Sequence, residues 1–372
     1  MENSLEKLVS LSHKFGKNPE FILAGGGNSS YKNNYAMWVK ASGTSMADID
    51  EDGFVCLDRK LMQVLSRRNY SKDASLREEE VKKDLQSAIL EPKGKRPSVE
   101  ASMHEVIQYK FIMHTHPTLV NGLLCANESK KMITELFGDD AVYVPYTDPG
   151  YVLFKKVVAA LQDYKEEFKK EAQIIFLENH GVFVGADTCE EIDEIYVTID
   201  RKLTEKTPTC LSDINTQENQ ALLTLAHQIK IKGNNDAIYS ICDNSELVKF
   251  FVEDEKAFSK VAIPFTPDNI VYCKSKYLYN RVDDDVNAQI EAFLNDNGYY
   301  PKVIAFEGKG LVCIEESEKS AKIVLDVFKD MMKVSYLSES FGGPRAMTQE
   351  QIDFIDNWEV ENYRRQMSKQ TK

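Results

Sequence analysis

The sequence has 372 residues, enough for two ordinary domains or one large one, with the composition of a soluble globular protein. Its formal net charge of −13 argues against general binding to nucleic acids or anionic membranes, because both are polyanions. No segment has the length of a membrane span, and the polar first residues lack a signal-peptide core. The seven cysteines are widely spread without a C-x-x-C pair, which is typical of reduced thiols. We therefore expect a cytoplasmic protein without nucleic-acid or membrane partners.

Two loops rich in small residues follow the first predicted helix, over residues 5–15, and a strand predicted at 21–24. The first loop, residues 25–30, reads Gly-Gly-Gly-Asn-Ser-Ser, and it is either an anion-binding nest of N–H groups or a plain turn. It is not a dinucleotide fingerprint, since G-x-G-x-x-G is absent. The second loop, residues 41–45, follows a strand over 35–40. A hairpin between them would bring the loops together around a phosphate, with Lys32 or Lys40 as a cation.

Residues 96–104 are predicted to begin a helix, with Ser98 as the N-cap and Glu100 in the first turn. Glu100 has two interpretations: an acid that interacts with the helix dipole, or an acid/base group near a metal. His104 follows one turn later on the same helix face, and we interpret it as structural.

Histidines occur at the ends of two predicted strands. The strand that begins at Phe111 ends in His114-Thr115-His116-Pro117, where alternation places both histidines on one face. The apolar run 174–177 ends in Glu178-Asn179-His180-Gly181. Partly exposed histidines at a sheet edge and a buried one at a hairpin are the alternative. We interpret His114, His116 and His180 as the ligands of one metal ion.

The second half of the chain repeats part of the first. Residues 304–312 align with 175–183, and the helices that follow share their apolar spacing. We therefore predict two related α/β domains, at 1–206 and 221–372, joined by a linker at 207–220. Two unrelated strand–turn–helix units are the alternative. Lys309 stands where His180 does, so the second, smaller domain is predicted to be a degenerate repeat without a metal site.

Three imidazoles that leave one coordination position open make a Lewis-acid site. With Glu100 nearby, the same groups fit two reactions. One is cleavage of a C–C bond beside a carbonyl, in which the carboxylate moves the proton. The other is hydrolysis by metal-activated water.

Five short motifs occur in a fixed order over residues 15–205. They are Gly26-Gly27-Asn28-Ser29-Ser30, Ala41-Ser42-Gly43-Thr44, Pro97-Ser98-Val99-Glu100, His114-Thr115-His116-Pro117 and Glu178-Asn179-His180-Gly181. In these motifs the sequence resembles the class II aldolase/adducin family, whose members include fuculose-phosphate and rhamnulose-phosphate aldolases and ribulose-phosphate 4-epimerase. Residues 25–32 and 38–43 also resemble the aldolase half of bifunctional rhamnulose-phosphate aldolase/alcohol dehydrogenases.

The resemblance implies a three-layer α/β/α fold around a mixed, mainly antiparallel sheet. It also implies zinc, or another divalent metal, on His114, His116 and His180, with Glu100 as the catalytic acid/base. Contacts to a sugar or sugar phosphate are implied at Gly27, Asn28, Ser42, Gly43 and Ser98. Retro-aldol cleavage of a ketose, as a sugar 1-phosphate, by a homo-oligomer is the function expected. An epimerase, a dehydratase and a non-catalytic adducin-like module are the alternatives. Val99 departs from the pattern, since phosphate-binding relatives carry a second serine there.

Overall fold

The computed structural model describes residues 2–92, 94–215, 219–230 and 239–357. The chain divides into two compact units. The first comprises Met1–Leu124 and Glu128–Lys206, and the second comprises Cys125–Asn127 and Thr207–Lys372. All seven cysteines are free thiols, as their spacing predicts.

An eight-stranded sheet forms the centre of the first unit. Its strands are β1 (Asn28–Lys32), β2 (Ala36–Lys40), β3 (Phe54–Asp58), β4 (Ile89–Glu91), β5 (Phe111–Thr115), β6 (Ala141–Val144), β7 (Ile174–Leu177) and β8 (Gly181–Ala186). They lie in the order β4-β3-β2-β1-β5-β8-β7-β6. Every neighbouring pair is antiparallel except β6 and β7, which are parallel. The predicted hairpin is present, because β1 pairs with β2 around a turn at 33–35.

Helices cover both faces of this sheet. They are α1 (Glu2–Gly16), α2 (Arg59–Ser66), α3 (Ala74–Ser87), α4 (Ala101–Val106), α5 (Thr118–Leu124), α6 (Ser129–Phe137), α7 (Tyr151–Phe168) and α8 (Cys189–Thr204). Neighbouring residues of β7 show the two layers. Ile175 packs in a core cluster with Leu153 of α7, whereas the ring of Phe176 lies 4.9 Å from that of Phe137 in α6. The predicted three-layer fold with a mixed, mainly antiparallel sheet is therefore confirmed.

Two local predictions are wrong, and a third is incomplete. Residues 21–24 form turns instead of a strand, because Ala24 adopts a left-handed φ of 51° that interrupts extended backbone. Helix α4 begins at Ala101, so Glu100 occupies the N-cap position and Ser98 lies before the helix. The charged region 60–95 contains the expected helices and loops, and it also contributes the short edge strand β4.

The second unit contains a smaller, four-stranded sheet, so the prediction of a second, smaller α/β fold is also confirmed. Its strands are β9 (Tyr239–Asp243), β10 (Leu278–Asn280), β11 (Val303–Phe306) and β12 (Gly310–Glu315). Its helices are α9 (Gln220–Gln228), α10 (Glu246–Val252), α11 (Glu255–Ser259), α12 (Pro267–Cys273), α13 (Val286–Asn297), α14 (Glu318–Ser338) and α15 (Gln349–Asn357). The predicted linker at 207–220 contains residues 216–218, which lie outside the described residues.

The second sheet has the same topology as one half of the first. Its order is β10-β11-β12-β9, with β10 parallel to β11 and the other pairs antiparallel. The first sheet contains β6-β7-β8-β5 with the same directions. In each unit a helix joins the two parallel strands, namely α7 and α13. A second helix follows the final hairpin, namely α8 and α14.

Candidate metal centre

Three histidine side chains meet at the end of the central strands of the first unit. His114 is the fourth residue of β5, His116 lies two residues further on, and His180 lies in the loop between β7 and β8. The ring centroid of His114 is 4.8 Å from that of His116 and 5.1 Å from that of His180. One ligand nitrogen from each of the three lies within 4.8 Å of the others. The two strand ends therefore bring together the three histidines singled out in the sequence.

The ring of His114 is held in one orientation. It is fully buried and stacks on Phe183, with centroids 4.0 Å apart. Its Nδ1 lies 3.0 Å from the backbone oxygen of Val182, which can only accept, so Nδ1 carries the proton. The lone pair of Nε2 therefore points into the histidine trio, 3.0 Å from Nε2 of His116. A backbone acceptor behind a ligating histidine is the usual arrangement at metal sites.

The backbone beside His180 needs glycine. A Cβ on Gly181 would lie 2.5 Å from the backbone oxygen of Thr115 and 2.6 Å from Cδ2 of His116. Asn179 turns the chain with a left-handed φ of 53°, a conformation that asparagine tolerates better than most residues. The sequence Asn179-His180-Gly181 thus allows the loop to approach β5 closely enough for His180 to join the pair.

Glu100 faces the trio from the start of α4. Its Oε1 is 3.4 Å from Nε2 of His114 and 3.4 Å from Nε2 of His180. Ligand atoms of a tetrahedral zinc ion with bonds of about 2.0–2.1 Å lie roughly 3.3 Å apart. Three imidazole nitrogens within 4.8 Å of one another are a donor set that suits a divalent cation, and Oε1 of Glu100 lies beside two of them. The residues present therefore fit a metal ion.

Asn28 lies directly behind Glu100. Its Nδ2 donates to Oε2 of Glu100 at 2.5 Å, and its Oδ1 contacts Nε2 of His104. His104 is fully buried, and burial holds its pKa well below the ordinary histidine value. Asn28 thus connects the acid to a buried neutral imidazole. Sequence reasoning missed this connection, although the Glu100-x-x-x-His104 spacing indicated a shared helix face.

The loop at 41–45 and the segment 96–98 that precedes α4 lie side by side near this acid. The N–H of Ser42 donates to the backbone oxygen of Arg96 at 2.8 Å, and that of Ser98 donates to the oxygen of Lys40 at 3.0 Å. The hydroxyl of Ser98 accepts from the N–H of Glu100 at 3.2 Å. Gly43 follows Ser42 in the turn of the 41–45 loop and has a φ of 84°. Ser42, Gly43 and Ser98 therefore lie in two hydrogen-bonded segments next to Glu100.

The glycine-rich loop approaches the histidines from the other side. Gly27 is buried with a φ of 65°, and a Cβ there would lie 2.8 Å from the backbone oxygen of His114. The close approach of two backbones explains glycine at this position. Asn28 follows immediately and pairs with His114 across β1 and β5.

The two lysines that the sequence offers as phosphate cations are both buried and donate to backbone oxygens. Lys32 is buried and donates to the backbone oxygens of His104, Glu105 and Ile107 at the end of α4. Burial lowers its pKa to about 7, and the charge of Glu105 opposes this shift. The ammonium of Lys40 donates to the oxygen of Thr44 at 2.8 Å. Both lysines hold the backbone that surrounds the candidate site.

Comparison with known proteins identifies the family. The family model of the class II aldolase and adducin N-terminal domain matches residues 6–203, and the chain belongs to this family. The resemblance seen in the sequence is thereby confirmed. The chain is 22% identical to the uncharacterized oxidoreductase YuxG of Bacillus subtilis over 416 residues, covering 98% of this chain. It spans 58% of the length of that relative.

Similar solved structures cover about half of the chain. The N-terminal class II aldolase domain of a conserved Thermoplasma acidophilum protein is 25% identical, covering 54% of this chain and 92% of that one, with a TM-score of 0.46. The L-fuculose-1-phosphate aldolase of Thermus thermophilus is 12% identical, covering 55% of this chain and 94% of that one, with a TM-score of 0.37. Within the described residues, no helix has the length and apolar character to cross a membrane.

Proposed function

We propose that this chain is a zinc-dependent aldolase that cleaves a ketose, as its 1-phosphate, by retro-aldol chemistry. The observation that carries the proposal is the convergence of three imidazoles with a carboxylate. Oε1 of Glu100 lies 3.4 Å from two of the imidazole nitrogens. Hydrolysis by an activated water would use the same ligands. Membership of the class II aldolase family favours the carbon–carbon reaction.

Each group has a distinct part in the proposed reaction. His114, His116 and His180 would hold the zinc ion, which supplies a Lewis acid for the ketose carbonyl and for negative charge that develops on the neighbouring oxygens. When the C–C bond breaks, its electron pair stays on the carbon next to the ketose carbonyl. Glu100 transfers a proton to or from this carbon. In cleavage that carbon receives a proton from the carboxyl, while the hydroxyl on the other carbon of the broken bond loses its proton to water and becomes the aldehyde oxygen. In condensation the same two transfers run in reverse. Asn28 donates to the distant oxygen of Glu100 and leaves Oε1 for this transfer.

The phosphate would be held by the adjacent small-residue loops. Ser98 accepts one hydrogen bond from the backbone, so its own hydroxyl proton is available to an anion. The hydroxyl of Ser42, the N–H of Gly43 and the backbone at Gly27 and Asn28 are the other proposed contacts. Such local donors are needed because the net charge of the chain is −13. Phosphate-binding relatives carry a serine at the position of Val99, and Val99 has no hydroxyl to donate to a phosphate. The unphosphorylated ketoses are therefore tested beside the phosphorylated ones.

A retro-aldol assay on the zinc-loaded full chain tests this function. Ketose 1-phosphates, including L-fuculose and L-rhamnulose 1-phosphate, and the matching free ketoses are the substrates. Glycerol-3-phosphate dehydrogenase and NADH detect dihydroxyacetone phosphate, and NMR follows the aldehyde and the sugar carbons. We expect zinc-dependent release of the three-carbon fragment from at least one ketose, and loss of this release with a chelator.

Other outcomes of this assay identify the alternatives. An epimer or a dehydrated sugar keeps its carbon chain intact, and its appearance would replace the aldolase with an epimerase or a dehydratase. Neither product from any ketose, together with no bound metal, would favour a non-catalytic adducin-like module and refute the proposed reaction.

We also propose that the chain comprises two domains, 1–206 and 221–372, joined by a linker at 207–220. The second domain is proposed to be a degenerate copy of part of the first. Equivalent turns support the duplication. The N–H of Glu178 donates to the oxygen of Val144 at 3.0 Å, and the N–H of Glu307 donates to that of Asn280 at 3.0 Å. The carboxylate of Glu178 then accepts from the N–H of Tyr146 at 2.8 Å. That of Glu307 accepts from the N–H of Val282 at 3.0 Å.

Residues of other types stand where the metal ligands would be. Gly310 corresponds to Gly181, and a Cβ on either would lie 2.5 Å from a strand oxygen, that of Asp243 or of Thr115. By this register Cys242 corresponds to His114, Asn244 corresponds to His116, and Lys309 corresponds to His180. The side chain of Leu222 also approaches Gly310, with Cδ2 2.7 Å from the Cβ position, much as the His116 ring approaches Gly181. An apolar side chain thus takes the place of a ligand.

Restoring histidines tests the duplication. The variant that combines Leu222→Ala with Cys242→His, Asn244→His and Lys309→His is expected to bind a second zinc ion per chain, because the backbone already has the required register. Leu222→Ala alone is the matched control and should bind one ion. Metal analysis after dialysis gives the stoichiometry, and circular dichroism confirms folding. A folded quadruple variant that still binds a single ion would contradict the proposed equivalence.

A further inference from the structure

A chain of buried hydrogen bonds reaches Glu100 from the side opposite the histidine trio. Nδ2 of Asn28 donates to Oε2 of Glu100 at 2.5 Å. Oδ1 of Asn28 contacts Nε2 of His104, and Nδ1 of His104 lies 2.7 Å from the hydroxyl of Ser30. Ser30 and His104 are fully buried, and Asn28 is 4% exposed. These three residues, Ser30, His104 and Asn28, are called the relay below.

The direction of every hydrogen bond in the relay follows from its chemistry. An ionised carboxylate only accepts, so Asn28 presents its amide nitrogen to Glu100 and its oxygen to His104. That oxygen only accepts, so Nε2 of His104 carries the proton. Nδ1 is then an acceptor, and the hydroxyl of Ser30 donates to it. A single neutral tautomer of His104 satisfies all three bonds, and its complete burial disfavours the charged form.

One strand and one helix supply the side chains of the relay. Asn28 and Ser30 are two residues apart on β1, so both side chains point to the same face. His104 lies one turn along α4 from Glu100, so these two also share a face. Lys32, two residues after Ser30, donates to the oxygens of His104 and Ile107 and ties the end of α4 to the same strand. The strand that pairs with His114 therefore also determines where Glu100 lies.

We propose that His104, acting through Asn28, is a positioning residue that holds Oε1 of Glu100 at its distance from the histidine trio for proton transfer. This inference rests on the proposed function. A buried histidine that only stabilises the fold is the alternative. The two differ in which measured quantity changes, because a positioning residue affects turnover through Glu100, whereas a purely structural one affects stability alone.

A matched pair of substitutions separates these roles. Gln at position 104 can still donate from its amide to Asn28, whereas Leu has a similar size and no donor. We expect His104→Leu to lower kcat about 10- to 100-fold, the usual effect of removing a partner behind a site residue, with KM and zinc content unchanged. His104→Gln should retain kcat within less than about 10-fold of the wild type. Thermal melts restrict the comparison to folded variants.

A double-mutant cycle shows whether the effect passes through Glu100. In a Glu100→Gln background, His104→Leu should lower the residual kcat no further, since the group it positions is gone. The proposal would be overturned if His104→Leu lowered kcat equally in both backgrounds. It would also be overturned if the variant lost zinc or raised KM and left kcat unchanged. Should His104→Leu not fold, Ser30→Ala is the milder variant. It removes only the donor to Nδ1 and should lower kcat with the same dependence on Glu100.

A measurement without turnover tests the relay independently of the proposed function. Nitrogen NMR of the metal-free full chain, labelled at histidine, determines which ring nitrogen carries the proton. We expect His104 to be neutral and protonated at Nε2 near neutral pH. A charged ring, or a proton on Nδ1, would refute the relay even in an active enzyme. Absence of any turnover in the wild type would refute the aldolase proposal and the role of the relay in it, whereas the NMR experiment would still test the hydrogen-bond chain.

Discussion

Glu100→Gln is expected to leave zinc bound and to lower kcat of the retro-aldol reaction by about 10²–10⁴-fold, the usual contribution of a positioned acid/base group. Gln has the shape of Glu, and its amide oxygen can accept the hydrogen bond that Asn28 donates at 2.5 Å. The three histidines keep their own supports, among them the bond from Nδ1 of His114 to Val182 at 3.0 Å. The substitution therefore removes the proton-transferring group and little else. Steady-state kinetics and metal analysis on the same preparation measure both quantities.

The control for this variant is Glu128→Gln. Glu128 lies outside the candidate site, with 48% of its side chain exposed beside Lys131. An exposed ion pair of this kind contributes little to stability, so this variant should keep wild-type kcat. Unchanged kcat in Glu100→Gln would remove Glu100 from the mechanism. Loss of zinc in Glu100→Gln would instead make its carboxylate a necessary metal ligand.

His180→Ala is expected to abolish both zinc binding and turnover. The substitution leaves two of the three imidazoles, and both of these come from one strand end. His180 suits this test better than His114, because its side chain is 14% exposed whereas His114 is fully buried against Phe183. Removing His114 would add a cavity in the core to any effect on the metal. His180→Ala should therefore isolate the loss of a ligand in a folded protein.

Two measurements follow His180→Ala. Metal analysis after dialysis should find zinc in the wild type and none in the variant. Zinc at 100 times its Kd should stabilise the wild type by about 2.7 kcal/mol in denaturant unfolding and should leave the variant unchanged. His227→Ala is the matched control, since His227 is an exposed histidine on α9. Full zinc occupancy in His180→Ala would exclude His180 as a ligand and refute the proposed centre.

Local sequence pattern predicted most of the regular elements. Apolar runs identified β5 and β7, and alternation placed the side chains of His114 and His116 on one face. Helical spacing identified α1 and α8. The errors arise where distant contacts override local preference. Residues 21–24 look like a strand by composition, yet the oxygen of Phe21 accepts from the N–H of His116 instead of from a neighbouring strand.

The residues behind Glu100 are the clearest case of what pattern could not reveal. The sequence singled out Asn28 as a substrate contact and His104 as structural. The structure joins Asn28 to Glu100, 72 positions away, and His104 to Asn28, 76 positions away. The sequence suggests Lys32 as a cation for phosphate, yet its ammonium donates to backbone oxygens at the end of α4. Such contacts depend on strand register and helix placement, and no short-range pattern encodes either.

The sequence by itself determined the family, the order of the motifs and the identity of the chemical groups, because these depend on residue type and spacing along the chain. Tertiary structure alone decided that His180 reaches the pair at the end of β5, since the loop after β7 can approach only where Gly181 leaves room. It also decided which oxygen of Glu100 faces the histidines. That choice depends on a hydrogen bond from β1, a strand whose position beside β5 is set by pairing between residues far apart in the chain.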